Sequence, residues 1–113
     1  MAFTAKDVTE KVRRIIGDAM EPYRWEDDEL RDNLQSAIKR LNARVPSTRY
    51  VKGELVDCVK LPEDEAASVA VSDFYEEALV YYVVYLCYSK DDPDTTNAEL
   101  SNTYLAKAER LMA

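Results

Sequence analysis

An unbroken run of apolar side chains from Ala78 to Tyr88 constrains this chain more than any other feature in it. Wound as a helix at about 100° per residue, the stretch from Phe74 to about Ser89 puts Phe74, Ala78, Tyr81, Tyr85 and Tyr88 on one side, with Tyr75 and Tyr82 beside them. Val80, Val83, Val84 and Cys87 fall on the opposite side. Such a helix has no face suited to water and must be covered on more than one side. The same residues have high strand propensity, so a buried strand is the competing reading. Length and the preceding residues favour the helix: Ser72 or Asp73 can cap it, and Glu76 is placed to complete a capping box.

The rest of the chain supplies amphipathic segments that can provide the cover. At 113 residues it is short for more than one domain, so residues 1–113 are read as a single helical domain. Only two glycines and four prolines are present, too few for the tight turns of an all-β chain of this length. Thr4 can cap a first helix in which Val8, Val12, Ile15, Ile16 and Ala19 recur at helical spacing. Asp7 with Lys11, and Glu10 with Arg14, are spaced for pairing along its outer face. Gly17 and the stretch Met20-Glu21-Pro22-Tyr23 end this pattern.

A second helix begins at Trp25-Glu26-Asp27-Asp28-Glu29-Leu30, where four carboxylates gather at the positive end of the helix dipole. Leu30, Leu34, Ala37, Ile38, Leu41 and Val45 form its apolar stripe. Arg40, Arg44, Arg49 and Lys52 collect toward its far end, where cations oppose the negative pole. They also form a candidate basic cluster for contact with a partner or with DNA. From Pro46 to Pro62 the helical period disappears, and Tyr50 to Leu61 is β-branched and partly alternating, as expected of a short hairpin or an extended arm. An isolated hairpin is marginal in water, so this segment leans on the helices or on another subunit. Glu63 to Ser68 reads as an acidic link. Asp91-Asp92-Pro93-Asp94-Thr95 ends the third helix, and Asp94 or Thr95 caps a fourth with apolar positions Ala98, Leu100, Tyr104, Leu105, Ala108, Leu111 and Met112. The expected fold is mainly α, a bundle of about four helices with a hairpin or arm between the second and third.

Several function classes lose support. The chain has no histidine, which removes the commonest general base and transition-metal ligand. Cys58 and Cys87 form no Cys-x-x-Cys pair and are read as reduced core side chains. No phosphate-cradling glycine loop occurs. The carboxylate pairs Asp27/Asp28, Glu76/Glu77 and Asp91/Asp92 sit where helix starts and turns favour acids. The reading is therefore a non-enzyme with no catalytic residues, no metal and no cofactor. A net charge of −7 disfavours non-specific grip on DNA or anionic membrane. No stretch reaches the roughly 20 apolar residues of a membrane span, and the start of the chain has no export pattern, so a soluble, unprocessed protein is expected.

The aromatic residues carry the remaining signal. They can fill a small core, but tyrosine also suits contact surfaces, because it buries a large ring while keeping a hydroxyl for a partner or water. The candidate interface residues are Tyr50, Val51, Leu55 and Val59 from the 46–62 segment, and Tyr75, Tyr81, Tyr82, Tyr85 and Tyr88 from the third helix.

One ordered set of segments resembles a known family across nearly the whole chain. A leading helix is followed by Arg24-Trp25-Glu26-Asp27-Asp28-Glu29-Leu30, then by Leu61-Pro62-Glu63-Asp64. After these come Tyr75-Glu76-Glu77-Ala78-Leu79-Val80-Tyr81-Tyr82-Val83-Val84-Tyr85, running into Ser89-Lys90-Asp91, and a closing helix. This pattern of order and spacing is similar to the head–tail adaptor proteins of tailed phages, also called connector or head-completion proteins. The resemblance implies a virion structural protein, made in the host cytoplasm, that assembles as a homo-oligomeric ring of about twelve copies beneath the portal. Such a ring extends the DNA channel, docks a tail or nozzle protein and takes part in genome ejection. DNA would pass through its lumen without sequence-specific binding, and no membrane is involved. The alternative is a small acidic helical regulatory or inhibitor protein that binds a basic partner surface.

Overall fold

The computed structural model describes residues 3–17, 25–51, 53–64, 66–90 and 95–112. Among them are four α-helices, α1 (Ala5–Ile16), α2 (Asp27–Arg44), α3 (Glu76–Lys90) and α4 (Thr95–Met112). A two-stranded antiparallel hairpin, β1 (Tyr50–Val51) and β2 (Glu54–Leu55), lies between α2 and α3. This is the expected bundle with an inserted hairpin. The break at Met20 to Tyr23, Ala19, and the turn from Asp91 to Asp94 lie outside the described residues.

α1 is fixed at both ends by its sequence. Thr4 and Asp7 form a reciprocal capping box, with Asp7 N–H donating to Thr4 Oγ1 at 3.1 Å and Thr4 N–H to Asp7 Oδ2 at 3.0 Å. Gly17 ends the helix in the left-handed region at φ 73°, where other side chains are strained. The pairs expected along its outer face do not form. Asp7 is used by the cap, Lys11 Nζ crosses to Glu76 on α3 at 2.7 Å, and Arg14 pairs with no carboxylate among the described residues. Arg13 is nearly fully buried and meets Asp27, the first residue of α2, at 2.7 Å.

α3 is the centre of the molecule. α1, α2 and α4 all pack against it, and Ala78, Leu79, Val80, Val83, Val84 and Cys87 are buried around its circumference. The run that sequence leaves open between helix and strand is helical because three amphipathic helices cover it. A 3-10 turn, Asp73–Tyr75, leads into α3; Ser72 Oγ accepts from Phe74 N–H, and Glu76 takes Lys11 instead of closing a capping box.

α2 buries its expected stripe of Leu30, Leu34, Ala37, Ile38 and Leu41, with Val45 half-buried beyond its end. It also buries Asn33 and Asn42. Asn42 and its neighbours explain how the chain returns from the hairpin. Val59 N–H donates to Asn42 Oδ1 at 2.8 Å, and Gln35 Nε2 donates to the Val59 carbonyl at 2.8 Å. Leu61 N–H donates to Gln35 Oε1 at 2.9 Å, and the Arg31 guanidinium donates to the Pro62 carbonyl. Side chains from one helix thus serve the main chain of an extended arm as a neighbouring strand would, and Val59 is buried beneath it at 2% exposure. Past the arm, Val69 N–H donates to the Phe3 carbonyl at 2.8 Å and Thr4 bridges Ser68. Phe3, Val69 and Val71 join the core from stretches outside the four helical periodicities of the sequence.

Asn42 also donates to Thr48 Oγ1 at 2.8 Å, so it ties the helix end to both sides of the hairpin. Asn42→Ala leaves the buried Val59 N–H without an acceptor and should destabilise the chain by about 1–3 kcal/mol. Urea midpoints should show this drop, whereas Asp57→Ala at an exposed site should stay within about 0.5 kcal/mol of the parent.

Candidate interaction surface

The hairpin sorts its side chains by strand alternation. Tyr50 faces Leu55 and Val51 faces Glu54 across the strands, and Gly53 makes the turn at φ 82°. Its base is closed by Val56 N–H to the Arg49 carbonyl at 2.9 Å and by Arg49 Nε to the Val56 carbonyl at 2.7 Å. Val51 and Val56 pack against the core. Tyr50 and Leu55 face water together, 60% and 55% exposed. Val59, expected in the same contact surface, is a core residue and is withdrawn from it: Asn42 and Gln35 hold its main chain against α2.

The tyrosines of α3 are half-buried, and many of their partners come from the chain itself. Tyr75, Tyr82 and Tyr88 pack against the core, as does Tyr104 from α4. Tyr104 lies between Tyr81 and Tyr88, with ring centres 5.7 and 6.0 Å away. Lys107 Nζ sits 5.5 Å from the Tyr81 ring centre and 5.0 Å from that of Tyr104. The Tyr81 hydroxyl donates to Glu77 at 2.8 Å, and Tyr82 and Tyr85 meet edge to face at 5.2 Å. The tyrosine face is thus a knit seam between α3 and α4 whose outer edge reaches solvent.

The basic cluster is divided by the fold. Arg40 and Arg44 both reach Glu109 on α4, at 2.8 and 3.5 Å, and so join α2 to α4. Glu109 lifts the already high pKa of Arg40, first through their hydrogen bond and then through its charge. Arg49 belongs to the hairpin base and lies 3.8 Å from Asp57. Lys52 lies outside the described residues.

The sequence gives no hint of a second surface, at Phe74. This residue falls on the 3-10 turn before α3 and is 77% exposed, its ring edge to face with Tyr75 at 5.1 Å. Beside it is a groove of about 530 Å³ between α1 and the start of α3. Arg14 and Ile15 line one wall, and Phe74, Val80 and Tyr81 the other. The periodicity of the third helix assigns Phe74 to the tyrosine side; a turn that starts one residue earlier swings it out.

Among the described residues no three His, Cys, Asp or Glu side chains converge to hold a metal ion, and no helix is long and apolar enough to cross a membrane.

Two tyrosines hold their protons above the ordinary tyrosine range, Tyr81 through its hydrogen bond to Glu77 and Tyr82 through burial. Both bind the proton more tightly folded than unfolded. Their contribution is therefore complete below the unfolded value of about 10 and is lost as pH rises through the higher folded values. Urea midpoints taken from about pH 8 to 11 should fall at the alkaline end, and the Tyr81→Phe, Tyr82→Phe double variant should flatten that fall. An unchanged slope in the double variant would refute this assignment.

No family model, curated protein or solved structure matches this chain.

Proposed function

We propose that the chain is a head–tail adaptor of a tailed phage, a virion structural protein that works by docking as a ring under the portal rather than by catalysis. The observation that carries this reading is the hairpin inserted between α2 and α3, which holds Tyr50 and Leu55 side by side in water on a bundle where, among the described residues, only Phe74 is a comparably exposed large apolar group. Paired apolar side chains on an exposed strand mark a contact surface awaiting a partner. The resemblance noted in the sequence supplies the partners: further copies of the chain, the portal, and a tail or nozzle protein. The net charge of −7 suits a channel lining along which DNA slides without adhering. The rival reading, an acidic inhibitor of a basic partner, rests on charge alone and gives the apolar hairpin no role.

Mixed with its portal, the purified chain should co-sediment as a complex holding many copies per portal ring. Leu55→Ser with Tyr50→Ser should reduce that complex at least about tenfold while the circular dichroism spectrum and melting temperature stay near the parent values. Separate sedimentation of chain and portal at every salt concentration would defeat the reading.

A further inference from the structure

The main chain of the hairpin is paired on the inside and unevenly closed on the outside. Val56 N–H donates to the Arg49 carbonyl at 2.9 Å, so Arg49 and Val56 form a hydrogen-bonded pair of the antiparallel ladder. Tyr50 and Leu55, one step nearer the turn, are then a pair that exchanges no main-chain bonds, and their N–H and C=O groups point out of the hairpin on either side. On the β1 side the edge is partly closed, because Tyr50 N–H donates back to the Ser47 carbonyl across the 3-10 turn Pro46–Arg49. On the β2 side it is open. No main-chain group of Leu55, nor of Asp57 two residues on, has a partner among the described residues, and Gly53, Glu54, Leu55 and Asp57 are all exposed.

An open strand edge fits one class of occupant. A helix uses its own N–H and C=O groups internally, whereas an extended chain offers a donor and an acceptor at the spacing that Leu55 needs. Strand alternation then sets the side chains. The occupant's residue beside Leu55 shares the outer face with Leu55 and Tyr50, and its neighbour beside Glu54 shares the opposite face. Of the other charged residues described around the hairpin, Arg49 is held by the Val56 carbonyl and lies 3.8 Å from Asp57, and Lys60 sits on the arm beyond. Glu54 is the charged residue of β2 itself and has no partner among the described residues. The edge therefore matches a strand in which an apolar residue adjoins a cationic one. A second copy brings the same Glu54 and the same net charge of −7, so like charge opposes the pairing of two such edges.

We infer that β2 takes up an extended segment of a partner protein as a third strand, with an apolar side chain beside Leu55 and a lysine or arginine beside Glu54. A hairpin of two strands is marginal by itself, and a third strand consolidates it. The inference rests on the adaptor reading for its partner, the portal, and names the kind of segment that the portal offers.

Amide hydrogen exchange of the full chain tests it, with short synthetic peptides as probes. A peptide alternating valine and lysine should slow exchange at the Leu55 amide by about tenfold or more. The same peptide methylated at its main-chain amides, and a peptide alternating valine and glutamate, should leave that amide within about twofold of the free chain. Glu54→Lys should reverse the preference between the lysine and glutamate peptides, and Leu55→Ser should weaken the parent's binding by about tenfold. Melting curves verify that both variants fold. The inference is overturned if the lysine peptide leaves the Leu55 amide unchanged, if methylation does not abolish the protection, or if both charged peptides protect equally. Protection that appears in the chain alone as its concentration rises overturns it too, because a second copy then fills the edge. A portal complex in which the Leu55 amide exchanges as in the free chain refutes strand addition and leaves the adaptor reading standing. Protection by the lysine peptide, with portal and chain sedimenting apart, does the reverse.

Discussion

Burial of α3 on several sides is the constraint on which the rest of the structure depends, because a helix carrying Leu79, Val80, Val83, Val84 and Cys87 around its circumference cannot exist at a surface. α1, α2 and α4 are each amphipathic enough to give it one face. The tyrosines mark the edges of that enclosure, where rings pack inward and hydroxyls reach charged or solvated neighbours. Glu109, on α4, receives both Arg40 and Arg44 from α2, and this exposed clamp closes the bundle beside the tyrosine seam. In so small a molecule the central helix consumes most of the available cover. Little remains to shield the hairpin tip or Phe74.

Much of this architecture is legible in the sequence because it rests on periodicity. The stripe of α2, the capping residues of α1 and the breadth of apolar residues in α3 follow from side-chain spacing alone. What periodicity does not carry is pairing between distant segments. Phe3, Val69 and Val71 lie in stretches too short to show a period, yet their burial follows from the main-chain bonds linking Phe3 to Val69 and Thr4 to Ser68. Val59 resembles the other β-branched residues of its segment, and only the position of Asn42 and Gln35 shows that it faces inward.

The candidate surface was legible in part for the same reason. Tyr50 and Leu55 belong to a segment whose alternation marks it as extended, so their pairing and exposure agree with its pattern. The tyrosines of α3 stand out in the sequence as candidates for contact, but Tyr104 and Lys107 of α4 cover part of them, and no pattern within the third helix announces this cover. Phe74 depends on one 3-10 turn, a shift of phase below what spacing resolves.

The arm from Val59 to Pro62 is gripped through its amides and carbonyls, by Asn42, Gln35 and Arg31, and only Val59 and its apolar neighbours need a particular shape. A grip on the polypeptide backbone is indifferent to most of the side chains it holds. The grip therefore asks nothing of Tyr50 and Leu55, whereas Gly53 is held to glycine by its positive φ at the turn. Changes at Tyr50 and Leu55 would thus alter the molecule's outer surface while its return strand stays anchored to α2.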